Sequence, residues 1–359
     1  LSSLNTINSG FQVAVMAPTE ILARQHFNLA NEIFPNNLNI KLITGKSDYK
    51  EKKDIYNDLS THQIDIIFGT HALFQKKINF KNLGLIIIDE QHKFGVNQRK
   101  KLSDKGGVNC DVLLMTATPI PRTLTMSIYG DMDLSIIREK PKSRIPTKTY
   151  SKLENKIDDV IKFITKEIKL GNQIFWVCPL IEESKKIDHS SAVKKFEYLK
   201  DLFPNQVSLL HGKTNPDQKE TILRRFLKKE FKILVSTTII EVGIDFPNAN
   251  VIIIENANKF GLSQLHQLRG RVGRGIKEST CILMFKSNLS DNAKKRLKIL
   301  KESNDGFIIS EEDMKIRGFG DILGFKQSGI KNFKLADPVQ NSDLFLLAEK
   351  EIRRIEMYN

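Results

Sequence analysis

Residues 83–95 read LGLIIIDEQHKFG. An apolar run rich in β-branched isoleucine stops abruptly at two carboxylates, a glutamine and a histidine. Isoleucine favours a pleated strand, and a run apolar at every position marks a strand buried on both faces, as in a parallel sheet. Ligands of such sheets bind at the carboxyl ends of the strands, where Asp89 and Glu90 fall. One carboxylate held there can bind Mg2+ on a nucleotide while its neighbour orients or deprotonates water. The alternative is a strand-end acid pair that caps the next helix.

Outward from this strand, short apolar runs alternate with amphipathic helical stretches, the signature of βαβ units. The first series is FQVAVMAP (11–18), IKLITG (40–45), IDIIFGT (64–70), LGLIIIDE (83–90) and DVLLMTATP (111–119), with helices expected over 19–34 and 48–59. The charged, proline-interrupted REKPKSRIPTKTY (138–150) reads as a linker. A second series follows: QIFWVCPL (173–180), QVSLLHG (206–212), FKILVSTT (231–238), NVIIIEN (250–256) and TCILMF (280–285), with helices over 156–170, 192–202 and 216–229. From Asp291 the chain turns helical, then glycine-rich. Beyond this loose architectural repetition no sequence repeat is evident. The expected fold is α/β, two tandem parallel-sheet domains and a helical tail.

Composition narrows the partners. The 359 residues carry 40% hydrophobic and 27% charged side chains, enough for packed cores and too little charge for wholesale disorder. A formal charge of +14 favours a polyanion. The three cysteines, Cys110, Cys178 and Cys281, form no C-x-x-C pair and read as reduced thiols of a cytosolic protein. The seven histidines show no metal-ligand spacing. No apolar stretch approaches the ~18 residues of a membrane span, and no signal peptide is visible. The chain begins at Leu1 rather than Met, with a strand soon after, so it reads as part of a longer protein.

Lysine outnumbers arginine threefold, yet QLHQLRGRVGRG (264–275) packs in Arg269, Arg271 and Arg274. Arginine where lysine is the habit suits a planar fork that grips phosphate. Glycines at 270 and 273 let the backbone come close beside Gln267, so Arg271 and Arg274 can reach one ligand; a solvated basic turn is the alternative. The acids lie in the first series and the arginines in the second, so a nucleotide between them would sense domain closure. Thr116 and Thr118 follow a strand beside the acid pair, where hydroxyls can relay nucleotide state or cap a helix. STTIIEVGIDFP (236–247) carries Gly243 and Asp245, a ribose or arginine ligand or else turn residues. Pro18 and Thr19, Thr44 and Gly45, Gly69 and Thr70, His211 and Gly212, and Thr237 all follow strands and suit contacts to phosphates that fix position without reading sequence. Nothing supports base-specific recognition.

MAPTEILARQH (16–26), GTHAL (69–73), IIIDEQHKFG (86–95), MTATPIPRTL (115–124), LHGK (210–213), TTIIEVGIDFPNA (237–249) and QLHQLRGRVGRG resemble the ordered motifs of superfamily-2 helicases. DEQH followed by K-F-G, and ESNDGFIISEEDMKIRGFGDILGFKQSG (302–329), resemble the RecG family within it. The resemblance implies two RecA-like (P-loop NTPase type) domains over 1–140 and 149–290, the first truncated at its N-terminus, and a helical translocation hairpin and C-terminal helix over 291–359. It implies an ATP- and Mg2+-dependent DNA helicase that drives branch migration and fork regression in recombination and repair. Its partners would be forks, Holliday junctions and single-stranded DNA-binding protein, in the cytoplasm at the nucleoid, with no membrane. Asp89 would hold Mg2+, Glu90 activate water, and Gln91 and His92 couple the nucleotide to the domain interface. Thr116 and Thr118 would link hydrolysis to DNA movement, Arg271 and Arg274 act as arginine fingers, and Asp245 bind nucleotide or interface. Arg317 and Gln327 would belong to the translocation motif.

Two departures stand out. Phe319 replaces a proline usual in the family, and no G-x-x-x-x-G-K-[ST] phosphate cradle occurs in the 359 residues. The family's cradle and wedge domain would lie upstream, so these residues alone should hydrolyse ATP negligibly. The alternatives are the motor of a transcription-repair coupling factor and a non-hydrolysing nucleic-acid-binding protein; the upstream reading frame distinguishes them.

Overall fold

The structure is a computed structural model that describes residues 1–45, 47–90, 105–107, 110–117, 133, 135–137, 139, 145–179, 185–212, 214–237, 246–275, 277–317, 344, 347–348, 351–352 and 354–355. The chain divides into two compact units, one built on Leu1–Ala117 and the other on the described residues from Asp133 onward. Among the described residues no helix is long and apolar enough to cross a membrane.

The first unit is a five-stranded, wholly parallel sheet: β1 Gln12–Met16, β2 Ile40–Ile43, β3 Ile66–Gly69, β4 Leu83–Ile88 and β5 Asp111–Leu114, in the order β2-β3-β1-β4-β5. Every residue of β4 is buried, as its unbroken apolar run requires. Helix α1 (Ser2–Asn8) packs against β1 and β4, and α2 (Glu20–Ile33) and α3 (Tyr49–Thr61) form the crossovers. Thr19 caps α2, its hydroxyl accepting from the Leu22 N–H. Asp48 and Glu51 form a capping box on α3, which ends on His62 in the left-handed conformation. Each such cap is worth about 1 kcal/mol.

The second unit holds β6 Lys148–Leu153, β7 Gln173–Val177, β8 Val207–Leu210, β9 Ile233–Ser236, β10 Ala249–Ile254 and β11 Thr280–Phe285, all parallel, in the order β6-β11-β10-β7-β9-β8. Its helices are α4 Ile157–Lys169, α5 Lys185–Leu202, α6 Pro216–Leu227, α7 Leu262–Arg269, α8 Asp291–Glu302 and α9 Gly306–Arg317. Within this unit α8 packs on β6, and α8 and α9 pack on α7.

The two tandem parallel sheets are those expected from sequence. The linker reading needs a correction, because its last residues, Lys148–Tyr150, begin β6, which pairs with β11. This edge strand buries only Thr149 and so lacks the apolar run that betrays the others.

Read from the opposite edge, the second sheet runs β8-β9-β7-β10-β11, the order of the first with one strand added. The correspondence extends to single hydrogen bonds. Gln12 opens β1, and its Nε2 donates to Leu59 O (3.0 Å) and Ile64 O (2.9 Å). Gln173 opens β7 and donates to Phe226 O (2.7 Å) and Phe231 O (3.1 Å). The Thr44 N–H donates to Ser47 Oγ and the His211 N–H to Thr214 Oγ1, both at 3.2 Å. Lys52 and Lys219 both return an ammonium to a glycine carbonyl, Gly45 O at 2.9 Å and Gly212 O at 3.5 Å. The repeat is therefore more than architectural. Its sequence trace, G-K-[ST]-[DN]-x-x-x-K at 45–52 and again at 212–219, is short enough to escape a search for long similarity.

Candidate nucleotide and nucleic-acid site

Within each unit, strand register gathers candidate residues at the carboxyl edge of the sheet. Ile43, Gly69, Met16, Ile88 and Leu114 form a row across the first sheet. The residues that follow them, Thr44, Thr70, Ala17, Asp89 and Met115, emerge together at its carboxyl edge. The hydroxyl and glycine candidates occupy the β2, β3 and β1 side, the acid pair follows β4, and Thr116 follows β5. In the second sheet the row Leu210, Ser236, Val177, Ile254 and Leu283 delivers His211, Thr237, Cys178, Glu255 and Met284.

Asp89 keeps a ladder bond, its N–H donating to Met16 O at 2.9 Å. Its Oδ1 accepts from the Glu90 N–H at 2.8 Å, and its Oδ2 lies 2.9 Å from His26 Nε2. His26 sits on α2, two helical turns after Thr19. The carboxylate is thus clamped in plane, yet each oxygen keeps lone-pair capacity for another partner. Glu90 adopts φ +50, a left-handed conformation that costs a non-glycine residue about 1–3 kcal/mol and persists where the surroundings impose it.

These groups fit Mg2+ only as part of a metal–nucleotide complex. Hard carboxylate oxygens are its preferred protein donors, and it is usually held by one or two of them with water and substrate phosphates. Among the described residues no cluster of three or more His, Cys, Asp and Glu side chains could hold a metal by itself.

The phosphate-contact candidates are shaped by packing. At Gly69 a Cβ would lie 2.9 Å from Ile43 O and from the Ile43 and Leu73 side chains, so only glycine fits. Thr44 and Thr237 are buried, while Gly45 and Gly212 are exposed. The buried Thr237 hydroxyl has no hydrogen-bond partner among the described residues.

In the second unit the three clustered arginines have different fates. Arg269 is buried and structural: Nη1 donates to Leu300 O (2.5 Å) and Ser303 O (2.9 Å), and Nη2 meets His266 Nδ1 (3.0 Å). Burial lowers its pKa. Arg271 is buried too, whereas Arg274 is exposed, its Nε donating to Gly270 O at 3.3 Å. Gln267 on α7 is half-buried. Gly273 has φ +73, and a Cβ there would meet Ser279 Oγ at 2.4 Å, so glycine is required twice over.

Sequence reasoning missed the partners of two strand-end acids. His26, read only as part of a motif, holds Asp89. Glu255, at the equivalent place in the second sheet, pairs with Lys195 of α5 at 2.8 Å and lies 3.7 Å from Cys178 Sγ. The Lys195 ammonium sits 5.2 Å from the Trp176 ring centroid and 5.1 Å from that of Tyr198. Burial first, then the Glu255 charge, pushes the Cys178 thiol well above its ordinary pKa. A groove of about 630 Å³ between β6, β11 and α4 is lined by none of the candidates. Gln91, His92, Thr118, Gly243, Asp245 and Gln327 lie outside the described residues, and so does the Arg317 side chain at the end of α9.

Family models match three consecutive segments: DEAD/DEAH box helicase over residues 1–127, helicase conserved C-terminal domain over 155–275, and ATP-dependent DNA helicase RecG, domain 3, C-terminal, over 303–357. The chain is 48% identical over 338 residues to the ATP-dependent DNA helicase RecG of Bacillus subtilis, covering 93% of this chain and 49% of that one. It is 48% identical over 353 residues to that of Aquifex aeolicus, covering 97% and 44%. A solved structure of RecG bound to a three-way DNA junction superposes with a TM-score of 0.75 at 41% identity, covering 96% of this chain and 45% of that one. The chain thus spans about half the length of the relatives it matches.

Proposed function

By homology over nearly its whole length this chain belongs to the RecG family of helicases, and from that premise we propose that it is the motor of an ATP-driven translocase on duplex DNA. Its work is branch migration and regression of replication forks in recombination and repair. The observation that carries this reading is the carboxyl edge of the first sheet, where Asp89 stands in one row with Thr44, Thr70 and Ala17, and Glu90 and Pro18–Thr19 follow directly.

Bound Mg2+–ATP supplies the phosphoryl group and the cation that neutralises its charge in transfer. Asp89 would hold the cation and Glu90 would orient and deprotonate the attacking water. Arg271 and Arg274 stabilise charge on the phosphoryl group, Gln267, Gln91, His92, Gly243 and Asp245 contact nucleotide, and Thr116 and Thr118 relay its state. Pro18, Thr19, Thr44, Gly45, Gly69, Thr70, His211, Gly212 and Thr237 track DNA phosphates, and Arg317 and Gln327 serve translocation. The corresponding domains are 1–140, 149–290 and 291–359. The partners are branched duplexes and single-stranded DNA-binding protein, in the cytoplasm at the nucleoid.

In the intact protein Glu90→Gln should lower DNA-stimulated ATP turnover by about 10²–10⁴-fold with junction binding nearly unchanged. Turnover at the wild-type rate would remove Glu90 from the chemistry. Residues 1–359 alone should hydrolyse ATP negligibly, since they contain no G-x-x-x-x-G-K-[ST] nest for the phosphates; Glu90-dependent turnover by this polypeptide overturns that expectation.

A further inference from the structure

The two sheets offer an internal control on what holds a strand-end carboxylate. Asp89 follows β4 and Glu255 follows β10, each the neighbour of its sheet's central strand. Each N–H donates to that strand, to Met16 O and Val177 O, both at 2.9 Å. Each acid precedes a left-handed residue, Glu90 at φ +50 and Asn256 at φ +46. Each is met by a side chain from the helix that follows the central strand, His26 from α2 and Lys195 from α5, at 2.9 and 2.8 Å. The positions match, and the partner differs.

Lys195 carries a permanent ammonium, and the Glu255 side chain is only 10% exposed. That carboxylate is paired inside the fold, and a dication approaching it would have to displace a lysine held against Trp176 and Tyr198. His26 meets Asp89 through one nitrogen of a planar ring, with Nε2 2.9 Å from Oδ2. That contact fixes the plane of the Asp89 carboxylate while Oδ1 takes the Glu90 N–H, and the Asp89 side chain remains 19% exposed.

We infer that His26 is the positioning residue of the metal-holding carboxylate: its Nε2 sets the orientation of Asp89 for Mg2+, and the imidazole in place of a lysine keeps that carboxylate open to a cation. The inference rests on the reading of Asp89 as the Mg2+ ligand. Partners that orient a ligating carboxylate usually contribute 10–100-fold to metal affinity.

The test follows binding of a fluorescent ADP analogue to the intact protein while Mg2+ is titrated, with thermal unfolding as the check on folding. His26→Ala should raise the half-saturating Mg2+ concentration roughly tenfold and leave metal-free nucleotide affinity unchanged. His26→Gln, which retains a donor, should return toward wild type. His26→Lys, which installs the second unit's arrangement, should raise it further than His26→Ala. Asp89→Asn is the control. If Asp89→Asn abolishes the Mg2+ dependence while His26→Ala titrates like wild type, or His26→Lys binds Mg2+ no worse than His26→Ala, the inference about His26 fails and the reading of Asp89 stands. If Asp89→Asn titrates like wild type, the reading of Asp89 itself fails. Should His26→Lys not fold, the contrast between alanine and glutamine decides.

Discussion

In the first sheet the strand beside β1 ends on Asp89, whose oxygens meet an imidazole and a backbone N–H; in the second the strand beside β7 ends on Glu255, which closes on a lysine lodged against Trp176 and Tyr198. One strand order and one backbone path produce the same slot twice. The side chain that reaches in from the following helix is what differs. Glu255 is closed by an ammonium and is 10% exposed, while Asp89 meets an imidazole nitrogen and is 19% exposed. Position in a parallel sheet therefore nominates a carboxylate for chemistry without selecting it.

The largest stability effect that separates the slots is expected at the lysine. Lys195→Met leaves Glu255 buried without its cation and should destabilise the second unit by about 3 kcal/mol, read as a fall in its denaturant midpoint. His26→Ala removes one part-exposed hydrogen bond and should cost the first unit about 1 kcal/mol or less. Equal costs would break the comparison. A smaller effect probes the matched glutamines. Gln12→Ala and Gln173→Ala each strand buried carbonyls, for about 1–3 kcal/mol. Gln12 should be the costlier loss, because its Oε1 also accepts from the Lys81 and Asn82 N–H groups; protection from hydrogen exchange in each unit measures the difference.

The smallest effect concerns the thiols. Burial pushes Cys281 in β11 up to about 12, and burial with the Asp111 charge pushes Cys110, just before the equivalent strand β5, to about 11. A raised folded pKa favours the protonated thiol. The unfolded chain loses that proton near pH 9 while the folded second unit keeps it, so stability is full below about pH 9 and falls as pH rises toward about 12. Cys281→Ala should flatten that alkaline decline by about 1 kcal/mol at pH 10. An unaltered decline would mean that Cys281 does not contribute.

Much of this was legible beforehand for a physical reason. Strands such as 83–88 and 249–254 are buried along their whole length, so their burial is written in consecutive residues. The acid pair was legible as well, because adjacent carboxylates at the end of such a run are conspicuous. β6 was not, since an edge strand with one buried residue has no apolar pattern to show. Nor were His26–Asp89 and Lys195–Glu255, whose partners lie 63 and 60 positions apart and meet only through the crossover geometry. Arg269 misled by company: beside Arg271 and Arg274 it looks like a phosphate ligand, but it brackets the carbonyl end of α8.

β6 carries one more consequence. It is the outer border of the second sheet, and its exposed Lys148 and Lys152 alternate with Tyr150 along the groove between β6 and α4. Charged side chains on a border strand discourage another molecule from adding a strand of its own. A second unit trimmed to start after Leu153 would make β11 the border instead, with Cys281, Ile282, Leu283 and Met284 buried in the intact sheet and their backbone newly open along one side. Such a fragment should self-associate, and a soluble preparation of the second unit needs to begin before Lys148.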